Sequence, residues 1–128
     1  MQGGREKGDH FEQLALHWLQ QQGLQIIQQN FSCRFGEIDL IMLDGSSVCL
    51  IEVKYRKSNA FGGAAFSIPR SKQEKITRST LSFSASHKAY QQHSYRFDAL
   101  LIQPDSNGAE HRYEWIRNAF EPAQSDYY

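Results

Sequence analysis

Two apolar segments separated by a four-residue turn constrain the fold of this chain more than any other feature. Residues 35–43 and 48–55 are rich in Ile, Val and Leu, and Asp44-Gly45-Ser46-Ser47 separates them. Asp-Gly between two apolar runs is a strong hairpin signal, because glycine readily adopts the positive φ angles of tight turns. The sequence therefore predicts an antiparallel hairpin at this point.

The remaining segments predict a mixed sheet flanked by helices. A first helix is expected from Asp9, its N-cap, to Gly23, with an apolar stripe at Phe11, Leu14, Ala15, Trp18 and Leu19. Further strands are expected at residues 24–31, 95–102 and 111–116, with a loop at 56–66. A second helix should begin near Ser67-Ile68-Pro69, its inner face marked by Ile76, Thr80, Phe83 and Tyr90. This order indicates one α/β domain spanning residues 1–128.

Composition excludes several classes of protein. Apolar residues make up 40% of the chain, which is typical of a globular domain. No apolar run approaches the ~18 residues that cross a bilayer, and no secretory signal precedes the first helix, so a cytoplasmic location without membrane contact is expected. Cys33 and Cys49 form no CxxC pair, which argues against a zinc site or a disulfide framework.

Charge is unevenly distributed along the chain, although its formal net charge is zero. Residues 1–53 carry seven acids and three bases, whereas residues 54–78 carry seven bases and one acid. A basic block beside an acidic one suits a phosphate-binding surface next to a cation site. The alternative is that these charges are ordinary solvated surface groups.

The hairpin places its acidic residues on one face. Side chains two residues apart share a face of a strand, so Glu37 lies with Asp39, and Glu52 with Lys54. Pairing around Gly45-Ser46 sets Asp39 opposite Glu52 and Glu37 opposite Lys54. Opposed carboxylates repel, and a divalent cation would offset that repulsion. Oxygen ligands of this kind suit Mg²⁺, and Lys54 could orient a water or offset charge on a phosphoryl transition state.

Two other interpretations of the hairpin use the same residues. Asp39 and Glu52 could form a solvated polar face of an amphipathic hairpin. Lys54 could simply pair with Glu37 across the strands, an interaction that contributes little stability.

The segment Gly36-Glu37-Ile38-Asp39-Leu40-Ile41, followed by Glu52-Val53-Lys54, resembles the PD-(D/E)XK nuclease signature. The whole chain resembles the bacterial YraN family, which is similar to archaeal Holliday-junction resolvases; further matches are Gly8, Glu12, Ala15, Asn30, Phe61-Gly62, Lys72-Gln73 and Arg96-Phe97-Asp98. The signature's Pro before the aspartate is replaced here by Ile38. The resemblance implies a restriction-endonuclease-like core, with Asp39 and Glu52 as ligands of Mg²⁺, for which Mn²⁺ can substitute, and with Lys54 catalytic.

The resemblance also implies that Glu12 on the first helix is an acidic contributor to the site. Asp9 and Glu12 have the spacing of a capping box, so Glu12 could instead close the start of that helix. Both roles fit the sequence. Arg96 and Asp98, two residues apart on one strand, are expected to form a structural pair outside the site.

The basic block supplies the expected nucleic-acid contacts: Arg56, Arg70, Lys72, Gln73 and Lys75. Bases in the first turns of a helix oppose its dipole, and a bound phosphate would explain them. The sequence predicts an endonuclease acting on DNA, including branched DNA, and a homodimer is consistent with resolvase-like relatives. The alternatives are a nucleic-acid-binding protein of the same fold with negligible cleavage, and a structural interaction module.

Overall fold

The computed structural model describes residues 3–56, 67–104 and 110–121. The loop predicted at residues 56–66 lies outside these ranges from residue 57 onward. The helices are α1 (Gly3–Gln21) and α2 (Arg70–Ser86), followed by a 3-10 turn at Lys88–Tyr90. The strands are β1 (Gln25–Cys33), β2 (Gly36–Asp44), β3 (Ser47–Tyr55), β4 (Ser94–Pro104) and β5 (His111–Ile116).

The five strands form one sheet in the order in which they occur along the chain. Strand β2 is antiparallel to both β1 and β3, β4 is parallel to β3, and β5 is antiparallel to β4. Helix α2 makes the crossover that two parallel strands require. The predicted mixed sheet flanked by helices is confirmed, and this α/β fold is consistent with a restriction-endonuclease-like core.

The two helices cover opposite faces of the sheet, which therefore has two apolar cores. Helix α1 contributes Ala15 and Leu19 to the first core, where they join Leu40, Ile51 and Leu100. Helix α2 covers the second face, where the core comprises Ile76 and Phe83 with Ile41, Leu50 and Phe97. Full burial of a side chain of this size stabilises a fold by roughly 1.5–3 kcal/mol. Neither helix is both long and apolar enough to cross a lipid bilayer, as far as the described residues go.

Helix α1 begins earlier than the sequence predicted. It starts at Gly3, so Asp9 lies inside the helix and is not its N-cap. Arg5, Glu6 and Lys7 are good helix formers and extend the helix toward the N-terminus. The capping-box interpretation of Glu12 is therefore wrong, because Asp9 and Glu12 are both interior helical residues.

Helix α2 begins at Arg70 with Pro69 as its N-cap, close to the predicted start. It ends at Ser86, so Tyr90 belongs to the 3-10 turn that follows and not to the helix. The Tyr90 ring still packs against the core beneath α2, and the Tyr95 hydroxyl donates a hydrogen bond to the Tyr90 carbonyl at 3.0 Å. The predicted packing of Tyr90 was right, but its secondary structure was not.

The hairpin register agrees with the prediction from the turn. Asp44 pairs with Ser47 and Leu40 with Ile51, so Gly45 and Ser46 form a two-residue loop. Gly45 has φ +62°, and a positive φ at the first central position is what a type II′ hairpin turn requires. The recorded pairing ends at Leu40 and Ile51, one residue short of the predicted pair of Asp39 and Glu52.

Candidate active site

Asp39 lies at a break in the sheet. On one side, β1 and β2 keep one register from Gln29↔Leu40 to Phe31↔Ile38, but no pair is recorded between Asn30, which has φ +53°, and Asp39. On the other side, the ladder between β2 and β3 ends at Leu40↔Ile51. Strand β3 continues alone along β4 as far as Tyr55↔Ile102. The sheet therefore opens between β2 and β3 beside Asp39.

A hydrogen bond holds the Asp39 carboxylate in this opening. Its Oδ2 accepts a hydrogen bond from the backbone N–H of Val53 at 2.8 Å, in place of a main-chain partner. Burial raises the pKa of Asp39, the bond from Val53 lowers it, and the negative charge of Glu52 raises it further, leaving a net increase. The site therefore disfavours the ionised carboxylate, and a bound cation would offset both the burial and the repulsion.

Glu52 forms two ion pairs at the site. Its side chain is 10% exposed, and its Oε2 lies 2.9 Å from Lys72 Nζ and 3.4 Å from Lys54 Nζ. The two lysine side chains are about two-fifths exposed, so water screens much of the attraction. One carboxylate oxygen thus interacts with an ammonium from its own strand and with another from α2.

Lys54 is paired with Glu52 and not with Glu37, which corrects the alternative of a cross-strand ion pair. Glu52 and Lys54 are two residues apart on one strand face, and the structure records them 3.4 Å apart. Glu37 belongs to the part of β2 that pairs with β1 beyond the end of the β2–β3 ladder. The separation of the strands there removes Glu37 from a position directly opposite Lys54.

A small recess lies over this opening, with a cavity volume of about 10 Å³, and acidic and apolar side chains line it. Glu37, Asp39 and Glu52 supply its carboxylates, while Leu50 and Ile76 belong to its apolar wall. Apolar surroundings lower the local dielectric constant, so charges inside interact more strongly than in bulk water. The recess therefore suits the binding of a charged group.

The donor chemistry of the recess fits Mg²⁺. Asp39 and Glu52 offer hard carboxylate oxygens, and Mg²⁺ in proteins usually takes one or two carboxylates and keeps several waters. No group of three or more His, Cys, Asp or Glu side chains is arranged to hold a metal within the described ranges. A cation here would thus rely on two protein carboxylates, with waters and substrate oxygens completing its coordination.

Comparison with other proteins identifies the family. The sequence profile of "Uncharacterised protein family UPF0102" matches residues 11–102, which include both acids and both lysines of the site. The chain belongs to the UPF0102 family. The predicted resemblance to YraN is thereby confirmed.

Relatives of similar length support the assignment to UPF0102. The chain is 47% identical over 121 residues to "UPF0102 protein NE0711" of Nitrosomonas europaea, covering 94% of this chain and 98% of that one. It is 42% identical over 122 residues to a UPF0102 protein of Pseudomonas fluorescens, with 94% and 98% covered. A UPF0102 protein of Legionella pneumophila is 40% identical over 117 residues, with 91% and 96% covered.

Glu12 of this UPF0102 chain is half-buried on α1. Helix α1 packs against the face that carries Val53 and Tyr55, and the neighbouring Phe11 ring stacks on Tyr55 at 3.9 Å. Because side chains alternate along β3, Glu52 and Lys54 point to the other face. Glu12 thus approaches the end of β3 from the opposite side of the sheet, and its contribution to the site remains a prediction.

Four of the five residues predicted to contact nucleic acid lie in the first half of α2, and the fifth, Arg56, directly follows β3. Lys72 joins the site directly through Glu52. Arg70 lies 3.5 Å from Glu74 in the same helix, and Gln73 donates a hydrogen bond from Nε2 to the Ile68 carbonyl at 2.7 Å. The other two, Arg56 and Lys75, are exposed. The direct contact of Lys72 with Glu52 was missed, since sequence spacing carries no signal for it.

Asp98 also lines the recess, but its carboxylate is committed to a structural network. Asp98 is buried and accepts hydrogen bonds from Arg96 Nε at 2.9 Å, Trp115 Nε1 at 2.9 Å and the Asn118 N–H at 3.0 Å. Arg96 also donates to Asp44 at 3.0 Å, and these bonds, those to Asp98 foremost, raise the pKa of the guanidinium. The predicted structural pair of Arg96 and Asp98 is confirmed.

Proposed function

We propose that this UPF0102 protein is a divalent-metal-dependent nuclease that hydrolyses phosphodiester bonds in DNA. The observation that carries the proposal is the break in the sheet that sets the half-buried Asp39 carboxylate beside Glu52 and its two lysines. Two neighbouring carboxylates repel each other, so this pair by itself does not stabilise the fold. Such an arrangement is expected where a cation and a phosphate complete the charge balance.

In the proposed mechanism, Asp39 and Glu52 would hold Mg²⁺, or Mn²⁺ as a substitute. When bound, the ion stabilises negative charge on the phosphoryl group and lowers the pKa of a coordinated water. The hydrogen bond from Val53 holds one carboxylate oxygen of Asp39, Oδ2, so Oδ1 would be the oxygen available to the metal. Lys54 would orient the attacking water or offset charge that develops on the phosphate oxygens.

Glu12 would add a further carboxylate from α1, and the basic residues would contact the nucleic-acid backbone. Arg56, Arg70, Lys72, Gln73 and Lys75 form the proposed set of contacts. A second copy of the chain would be required to cut two strands symmetrically, because each monomer offers one site. We therefore expect a homodimer on branched DNA.

One observation favours a second function, a nucleic-acid-binding protein that cleaves negligibly. Both lysines already engage Glu52 Oε2, and the described ranges hold no cluster of three metal-ligating side chains. An ammonium in this position competes with a divalent cation for the same oxygen. Binding without efficient cleavage would follow if the lysines win that competition.

A cleavage assay on several DNA forms separates the two functions. Purified protein is incubated with a four-way junction, a duplex and a single strand, in Mg²⁺, Mn²⁺ or EDTA. We expect metal-dependent cleavage that Glu52→Gln and Lys54→Met each abolish, while DNA affinity stays within a few-fold, because each change removes several kcal/mol of transition-state stabilisation.

Arg112→Gln, an exposed change on β5, is the matched control and should cleave like the wild type. Equal cleavage by the wild type and the Glu52→Gln variant would reject the assigned roles. Salt-sensitive DNA binding without cleavage in any metal would support the binding function instead.

A further inference from the structure

Two arginines converge on one aromatic ring at the tip of the first hairpin. Arg34 and Phe35 form the turn between Cys33, the end of β1, and Gly36, the start of β2. The Cζ atom of Arg34 lies 4.8 Å from the centre of the Phe35 ring, and that of Arg78 of α2 lies 6.0 Å from it. Contacts at this range attract a guanidinium to a ring by about 0.5–1 kcal/mol at exposed sites. Phe35 therefore attracts both guanidiniums to the tip of the hairpin.

The charges at this tip are not balanced within the described part of the chain. Arg34 and Arg78 are both exposed, and the structure records no ion pair between either of them and a described carboxylate. Both guanidiniums are positively charged, so an anion bound between them would be attracted by both. Guanidinium matches the geometry of phosphate oxygens and binds them in a bidentate manner.

The tip is continuous with the candidate active site along α2. Lys72, Lys75 and Arg78 follow one another at intervals of three residues, which makes them neighbours on the helix surface. Lys72 begins this row 2.9 Å from Glu52, Lys75 packs beside Gly36, and Arg78 ends it at Phe35. With a rise of 1.5 Å per residue, the row is about 9 Å long, roughly three nucleotide steps of duplex DNA.

We propose that Arg34 and Arg78, held together by Phe35, bind a backbone phosphate of the nucleic-acid strand that enters the Asp39–Glu52 site. The inference rests on the proposed function and adds the path of the substrate. The strand runs along the basic row from the reacting phosphate to the Phe35 tip. Because the contacts are to phosphate, the site recognises the backbone and not the base sequence.

The salt dependence of DNA binding tests this path directly. Wild type and variants are titrated in EDTA with a fluorescein-labelled duplex, and anisotropy is measured between about 50 and 200 mM salt. Each lost phosphate contact flattens the log-log slope by about 0.9. The double variant Arg34→Gln/Arg78→Gln removes this one phosphate contact, so it should flatten the slope by about 0.9 and bind about tenfold more weakly at low salt.

Two further variants test whether the effect is specific to this tip and whether the Phe35 ring contributes to it. Arg112→Gln removes an equally exposed arginine from β5, at the edge of the sheet opposite β1, and should leave the slope unchanged. Phe35→Leu keeps both charges but removes the ring that restrains them. It should weaken binding by about threefold, the worth of one cation–π contact, with less change in slope than the double variant.

The outcomes distinguish this inference from the proposed function. An unchanged slope in the double variant, or an equal change in Arg112→Gln, overturns the phosphate site even if the wild type cleaves DNA in Mg²⁺. Absence of cleavage together with the expected slopes rejects the nuclease and keeps the phosphate site. No binding by the wild type at low salt overturns the site as well.

Discussion

The ammonium of Lys72 lies 2.9 Å from Glu52 Oε2, closer than that of Lys54, although Lys72 belongs to α2 and Glu52 to β3. This contact links the first turns of α2 to the break in the sheet. It also places a monovalent cation at an oxygen that a divalent cation would use. A divalent cation at Glu52 Oε2 would therefore compete with Lys72.

Replacing Lys72 by Met should strengthen the binding of divalent cations by about threefold to tenfold, because a competing charge is removed. The same change should lower the melting temperature in EDTA slightly, since an ion pair of this exposure contributes at most about 1 kcal/mol. Titration calorimetry with Ca²⁺ measures the first effect, and melting in EDTA the second. Lys75→Met, one turn further along α2, is the matched control. Weaker Ca²⁺ binding in Lys72→Met would show that Lys72 assists the metal and does not compete with it.

Asp39→Asn and Asp39→Ala should affect stability in opposite directions. Asparagine keeps an oxygen that can accept the bond from Val53 and removes a charge that burial and Glu52 disfavour, so it should melt at or above the wild type in EDTA. Alanine leaves the Val53 N–H without that acceptor and should lose about 1–3 kcal/mol.

Both Asp39 variants should lose the rise in melting temperature that Mg²⁺ gives the wild type, because a ligand of the folded state stabilises it only if it binds. A melting series in EDTA, in Mg²⁺ and in a matched monovalent salt measures both effects. An Asn variant that melts below the wild type in EDTA and still responds to Mg²⁺ would make Asp39 a purely structural residue.

The sequence predicted the hairpin register because the turn residues and the two-residue period of strands are local signals. It could not predict the break in the sheet, since a pairing rule assumes that the ladder continues. The left-handed φ of Asn30 and the bond from Val53 to Asp39 depend on three strands together. The contact of Lys72 with Glu52 depends on how α2 packs on the sheet, and no sequence period reports that packing.

Loss of the buried Asp98 charge should destabilise the fold without affecting the metal response. Asp98→Asn weakens three sets of hydrogen bonds and leaves Arg96, 18% exposed, with Asp44 as its one charged partner among the described residues. We expect a loss of about 2–4 kcal/mol in urea unfolding. Asp44→Asn, at a more exposed partner of the same arginine, should lose about 1 kcal/mol or less.

Mg²⁺ should raise the melting temperature of Asp98→Asn as much as that of the wild type. The Asp98 carboxylate already accepts hydrogen bonds from Arg96 and Trp115 and is not expected to bind the metal. Wild-type stability in Asp98→Asn would show that the network contributes nothing. A lost Mg²⁺ response with the fold intact would place Asp98 in the metal site.

The two cysteines should differ strongly in reactivity, because the thiolate is the reacting form. Burial raises the pKa of Cys49 to about 12, and the nearby charge of Asp98 contributes to the rise. For Cys33, burial raises the pKa, but hydrogen bonds with Ser79 and with backbone N–H groups outweigh it and leave the pKa below its ordinary value. Near pH 8 Cys33 therefore has a larger thiolate fraction than an ordinary cysteine, whereas only about one part in ten thousand of Cys49 is ionised.

Iodoacetamide should modify Cys33 of the native protein and spare Cys49, as measured by mass spectrometry of peptides. The pH dependence of modification at each cysteine follows from the direction in which its pKa is shifted. Modification of Cys33 should level off as the pH rises past its lowered pKa, while any modification of Cys49 should keep increasing about tenfold per pH unit below 12. In urea both cysteines should react alike, and Cys33→Ser should make the native protein almost inert. Equal modification of Cys49 and Cys33 in native buffer would contradict this prediction. It would mean that solvent reaches β3 near Asp44, and that the core beneath α1 is packed less tightly than in the structure.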